Sequence, residues 1–253
     1  MDLTPFFFMY TQGPETSARV WMNDVPVLRY GLIEDETRNH TSPAIHLMQP
    51  GENTFAIEID VAPAWSQVSF ELSVNWDHDR PVMLFEWRAE TDHLDKDKRS
   101  PFRYETSFSP LGDLFSPVHL GAQPQDFPCE GNGALHDAVR SFHDAIERRD
   151  LDGYMQQLDL KISEMERAYP GWGWIDRGEV RNDIKELFSH DLAVRPLDLA
   201  RIHFERRVDG KVACARHLDG GHVVEAYCKD DPTLCLTADV VMTYNDSRWR
   251  VFR

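Results

Sequence analysis

Basic side chains are scarce in this chain. Its 253 residues hold 27 Lys and Arg against 43 Asp and Glu, a formal net charge of −16. The deficit runs throughout: residues 1–120 carry 19 acidic and 9 basic side chains, and residues 121–253 carry 24 and 18. Phosphate contacts need clustered Lys and Arg, so neither nucleic acid nor an anionic membrane surface is expected as a partner. Such a field favours solubility, or a protein partner that is itself basic. Long apolar runs are also missing. None approaches the roughly 18 residues that span a bilayer. The run Pro5–Tyr10 is too short for a signal h-region, and it follows Asp2 rather than a basic segment. With no leader and no span, the expected location is the cytoplasm. Cysteine is sparse too: Cys129, Cys214, Cys228 and Cys235 include no C-x-x-C pair, so a thiolate zinc site is not expected. Cys228 and Cys235 flank a turn and could meet across a hairpin, although free buried thiols are the expectation in a cytosolic chain. No phosphate loop, nucleophile elbow, H-E-x-x-H or dinucleotide fingerprint occurs, and no cofactor or metal is expected.

What is present is a folded composition, 42% hydrophobic and 28% charged, in a chain long enough for two domains. Residues 1–118 read as all-β. Ala18–Met22 alternates, Asn23-Asp24 turns, and Val25–Tyr30 returns; Ile45–Met48 leads into the turn Gln49-Pro50-Gly51-Glu52-Asn53. Thr54–Val61 places Phe55, Ile57, Ile59 and Val61 on one face, Val68–Val74 repeats the pattern, and Val82–Arg88 is nearly continuous apolar. Strands at this spacing with no helix between them predict a β-sandwich. The pair V-W-M-N-D-V-P-V and L-M-Q-P-G-E-N-T-F-A-I-E-I resembles the accessory sandwich domains (immunoglobulin- or jelly-roll-like) of bacterial proteins. That resemblance implies a fold and offers carbohydrate binding as one function, through Trp21, Trp65, Trp76 or Trp87 if they are exposed rather than core. The acidic runs Trp76–Asp79 and Thr91–Lys98 lack the Gly and Glu spacing of a calcium loop and read as solvated loops.

Residues 119–132, with Pro124 and Pro128, read as a Pro-rich linker. From 133 to 253 the periodicity is first helical. Leu135, Ala138, Val139, Phe142, Ala145 and Ile146 form one stripe; Asp150 caps a second helix with Met155, Leu158, Ile162 and Met165; Asp176 opens a third with Val180, Ile184, Leu187 and Phe188 inward. Then the period falls to two, through the turns Asp209-Gly210, Asp219-Gly220-Gly221 and Asn245-Asp246-Ser247, with Leu234–Tyr244 reading as one long strand. Three helices followed by a meander, with Ala138–Asp152 at its start and Trp249-Arg250-Val251 at its end, resemble the NTF2-like (cystatin-like α+β) superfamily. The resemblance implies a cone of helices on a curved antiparallel sheet, with a pocket inside and an outer sheet face available for a homodimer.

Catalysis in such a cone would draw on His143, Tyr154, Glu225, Asp239 and Arg250, since proton transfer at carbon needs a desolvated base and an oxyanion donor. Asp239, in an otherwise apolar strand, would be the base if buried; His143 beside the helical stripe reads rather as a satisfied boundary histidine. His217 and His222 flank a glycine turn but lack the third ligand of a catalytic zinc. The stretch Tyr169-Pro170-Gly171-Trp172-Gly173-Trp174 offers anchors for a protein interface, where Trp is a preferred hot-spot residue. The expected function is therefore a non-catalytic bacterial binding protein engaging a protein partner through Tyr169, Trp172 and Trp174, in the manner of a toxin-immunity protein or secretion adaptor. The alternatives are an NTF2-like lyase, isomerase or hydrolase acting on a small apolar substrate, and carbohydrate binding by the sandwich.

Overall fold

A computed structural model of the chain describes residues 6–12, 17–30, 38–43, 45–61, 67–75, 81–90, 102–109, 116–169, 176–230 and 235–252. The fold mixes α and β, and it divides into two compact units, Met1–Pro117 and Val118–Arg253.

The first unit contains eight described strands: β1 (Phe6–Gln12), β2 (Ser17–Met22), β3 (Val25–Tyr30), β4 (Arg38–Pro43), β5 (Asn53–Val61), β6 (Gln67–Asn75), β7 (Pro81–Glu90) and β8 (Phe102–Phe108). They form two antiparallel sheets, ordered β4-β1-β6-β7 and β3-β2-β5-β8. Alternation dictates the inner faces: Phe55, Ile57 and Ile59 of β5 are buried, as are Phe70 and Leu72 of β6. Phe55 and Phe70 stack with ring centroids 4.4 Å apart, so the two sheets meet face to face there. Two asparagines fix the entry into β5. Asn23 donates through Nδ2 to the Leu47 carbonyl and to Asn53 Oδ1, and its own Oδ1 accepts from the Thr54 amide. Asn53, wholly buried, donates to the Gln49 and Gly51 carbonyls and accepts from the Gln49 amide. Every polar atom of the Asn53 amide group is thereby satisfied, which is what permits its burial.

The second unit opens with a segment read above as a linker. It is instead packed into this unit. The Val118 amide donates to buried Glu164, Lys211 Nζ donates to the Leu120 carbonyl, and Phe127 meets Trp249 edge-on at 5.4 Å. Three helices follow: α1 (Gly133–Glu147), α2 (Leu151–Ala168) and α3 (Arg177–Ser189). Each has a side-chain N-cap, from Asn132, Asp150 and Asp176 respectively. Five of the six α1 stripe positions are buried and Ala138 is half-buried, whereas α3 buries only Phe188 of its four apolar positions, the other three being half-buried.

Two antiparallel sheets complete the unit. Strands β9 (Leu192–Val194), β12 (Val224–Cys228) and β13 (Cys235–Ala238) are ordered β13-β12-β9; strands β10 (Ile202–Arg207), β11 (Val212–His217), β14 (Val240–Asn245) and β15 (Arg248–Val251) are ordered β10-β11-β14-β15. The single long strand expected over Leu234–Tyr244 is thus two strands in two sheets, separated by Asp239 alone. Cys228 is a buried free thiol, and the register sets Cys235 opposite Tyr227 rather than opposite Cys228. No disulfide joins them.

Candidate functional site

The space between the helices and the sheets is occupied by side chains. Phe142, Tyr154, Phe188 and Met242 belong to one buried core, with Tyr154 between the rings of Phe142 and Phe188 at 5.4 and 5.6 Å. Burial pushes the Tyr154 phenol up to about 12, away from acid–base work near neutrality. The residues on which catalysis in a cone would draw have separate partners. Asp239 is 24% exposed in its side chain and accepts a hydrogen bond from His222 Nδ1 at 3.2 Å. His143 is buried and donates through Nε2 to the Arg195 carbonyl at 2.8 Å. Arg250 pairs with Asp159 and Asp246. A cleft of about 390 Å³ does lie between α1, α2 and the β14–β15 hairpin; of the residues on which catalysis would draw, its lining includes Arg250 and none of Asp239, His143, Glu225 and Tyr154.

Of the three expected interface anchors, Tyr169 alone is among the described residues. Trp172 and Trp174 lie outside the described residues. Tyr169, expected at a partner surface, is buried at the end of α2. In the first unit Trp21 is 3% exposed, with the guanidinium groups of Arg103 and Arg19 over its ring, so it offers no face to a sugar. Trp65 and Trp76 lie outside the described residues, and the Trp87 side chain likewise.

A bonded polar arrangement surrounds the turn between β11 and β12. Arg195 follows β9 and extends its pairing, donating its amide to the Glu225 carbonyl at 2.8 Å. Its guanidinium reaches Asp219 Oδ2 at 2.8 Å and Glu225 Oε2 at 3.3 Å. Asp219 Oδ1 accepts from His217 Nδ1 at 2.5 Å and from the Gly221 amide at 2.8 Å. Glu225 accepts from the His222 amide at 3.0 Å and from the Tyr227 hydroxyl at 2.9 Å. The Asp219 carboxyl is held well below the usual carboxylate range, first by the Gly221 amide, then by Arg195 and His217. Arg195 is correspondingly raised, chiefly by its hydrogen bond to Asp219. Both charges are therefore fixed at physiological pH. A Cβ at Gly221 would lie 3.0 Å from Arg195 Nη1 and 3.1 Å from both carboxylates, so the turn closes tightly on the pair.

This bonded frame carries two large apolar side chains in solvent. Leu218, between His217 and Asp219, is 65% exposed, and Tyr227 is 45% exposed. His217 and His222 do not share a partner; each has its own aspartate. The Asp-Gly-Gly turn was visible in the sequence, and an aspartate that accepts from an amide two residues on is its usual chemistry. Arg195 was not, because nothing local marks a residue 24 positions from its partner.

No helix among the described residues is long and apolar enough to cross a membrane. No family model, curated protein or solved structure matches the chain.

Proposed function

We propose that the chain is a non-catalytic binding protein that engages a protein partner, with the turn 217–222 and the neighbouring strand β12 as its contact. The observation that carries this reading is Leu218, 65% exposed at the apex of a turn whose flanking polar groups are already bonded to one another. A leucine held in water on a rigid turn loses little conformational freedom on docking, so most of its burial energy appears as affinity. Full burial of a leucine contributes about 1.5–3 kcal/mol, and two-thirds of that is still available here. Tyr227 adds a rigid amphipathic ring of the type enriched in interfaces. The net charge of −16 complements a basic partner. A toxin-immunity or secretion-adaptor role is the narrower form of this reading. The filled interior around Tyr154 weighs against the alternative of chemistry inside a cone.

The test is site-specific photocrosslinking in the native cell, with a photoreactive amino acid in place of Leu218, of Trp172, or of exposed Glu105 in the first unit. A discrete protein adduct from position 218, lost on adding the Gly221→Val change, supports the proposed contact. Adducts from 172 alone move the contact to the tryptophan loop. Position 218 reacting no more than position 105 removes the reading.

A further inference from the structure

The last turn of α1 holds three potential metal ligands on one side. His143, Asp144 and Glu147 each offer a ligand atom, and these atoms lie within 4.8 Å of one another. A group of this kind gains meaning from the state of its histidine, which is buried to 3% exposure. His143 Nε2 lies 2.8 Å from the Arg195 carbonyl oxygen. A carbonyl only accepts, so Nε2 carries the hydrogen, and in the neutral ring Nδ1 is left as a bare lone pair. That lone pair lies 3.8 Å from Asp144 Oδ1. A neutral ring and a carboxylate at this separation leave room for a cation between them.

The distance selects the cation. A shared proton would bring nitrogen and oxygen to about 2.7–2.9 Å, and 3.8 Å is too long for a hydrogen bond. An ion lying about 2.0–2.1 Å from each atom spans this gap with an open ligand angle, and tetrahedral bond angles need the atoms to close by only about 0.4 Å. Glu147 is exposed and free to swing in as the third ligand, with water completing the shell. The ring's second nitrogen is anchored on a backbone carbonyl, the arrangement that orients metal-bound histidines. The helix adds to this, because its C-terminal turn carries the negative end of the dipole. Arg148, 3.2 Å from the other Asp144 oxygen, is the competing charge and leaves Oδ1 to the ion.

We propose that His143 Nδ1, Asp144 and Glu147 form a site for a divalent transition-metal cation of the zinc or cobalt type. One imidazole and two carboxylates suit such borderline ions better than calcium or magnesium, which take all-oxygen shells. The site meets the frame of the binding surface proposed above only at the Arg195 carbonyl that holds His143 Nε2.

The test uses the full chain after chelator treatment, with Zn²⁺ titrated by calorimetry and Co²⁺ by visible absorption. The expected result is one equivalent bound, a shift of the His143 imidazole nitrogen resonances on Zn²⁺ addition, and at least a tenfold weaker Kd in both Glu147→Gln and Asp144→Asn. These two side chains are exposed or half-buried, so the variants keep the fold that a His143 substitution would endanger. A His222→Asn control, at the part-exposed His222–Asp239 pair, leaves the Kd unchanged. Binding weaker than about 0.1 mM, or binding that both α1 variants leave intact, overturns the assignment.

Discussion

Gly210→Ala measures how tightly the segment before α1 is held to the sheet. Gly210 has φ +88°, and an added Cβ would sit 2.6 Å from the Gln125 carbonyl oxygen. Two costs combine. A non-glycine residue in the left-handed region costs about 1–2 kcal/mol. The contact is with backbone, which cannot rotate away, and relieving it costs roughly a further 1–3 kcal/mol by analogy with overpacked sites. Relief means moving Gln125, whose amide donates to the Gly210 carbonyl at 2.9 Å, so the contact and the bond fail together. Gly51→Ala is the reference: its φ is +87°, and nothing lies within 4 Å of the added atom. It isolates the backbone cost. Urea denaturation should therefore show a loss of about 2–5 kcal/mol for Gly210→Ala against about 1–2 for Gly51→Ala. Hydrogen–deuterium exchange should show lost protection in peptides from 118–132 for the first variant only. Equal destabilisation by the two, with residues 118–132 still protected in Gly210→Ala, would refute the packing of this segment into the second unit.

Tyr154→Phe should leave stability within about 0.5 kcal/mol, because the ring carries the packing, whereas Tyr154→Ala should cost roughly 3–5 kcal/mol in chemical denaturation. A large loss with Phe would mean that the hydroxyl is structurally engaged. For Asp219 the folded-state carboxyl is depressed, so its contribution is full above the unfolded value, near 4, and is lost as pH falls toward the folded value. The stability gap between the wild-type chain and Asp219→Asn should accordingly narrow as pH falls from about 5 to 3. A gap that stays constant over that range in urea midpoints would contradict the assignment.

How much was legible follows from where each signal lives. Period and capping are local, so the alternation of Thr54–Val61, the α1 stripe and the Asp150 and Asp176 caps were readable and are present. Strand β8 carries a local signal too, since Phe102, Tyr104, Thr106 and Phe108 alternate with Arg103, Glu105 and Ser107. Strand β4, Arg38–Pro43, has no apolar alternation and owes its state to pairing with β1 at a sheet edge. Prolines at 124 and 128 suggested a linker because composition cannot show that Phe127 between them has a tryptophan to pack against. Asp239 drew attention as a buried base from its apolar neighbours, yet those neighbours serve two different sheets and the aspartate marks the change between them. The polar frame of Arg195, Asp219 and Glu225 joins the residue after β9, one in the turn and one in β12, and only the tertiary fold brings them together.

That one-residue junction at Asp239 has a mechanical side. Strand β13 is an outer strand of its sheet, while β14 is an inner strand of the other. With no slack between them, tension applied at Cys235 passes along the backbone directly into β14. There it is resisted on both flanks, by β11 and by β15. The two sheets are loaded in series, so a pull on the outer strand of one is borne by an inner strand of the other.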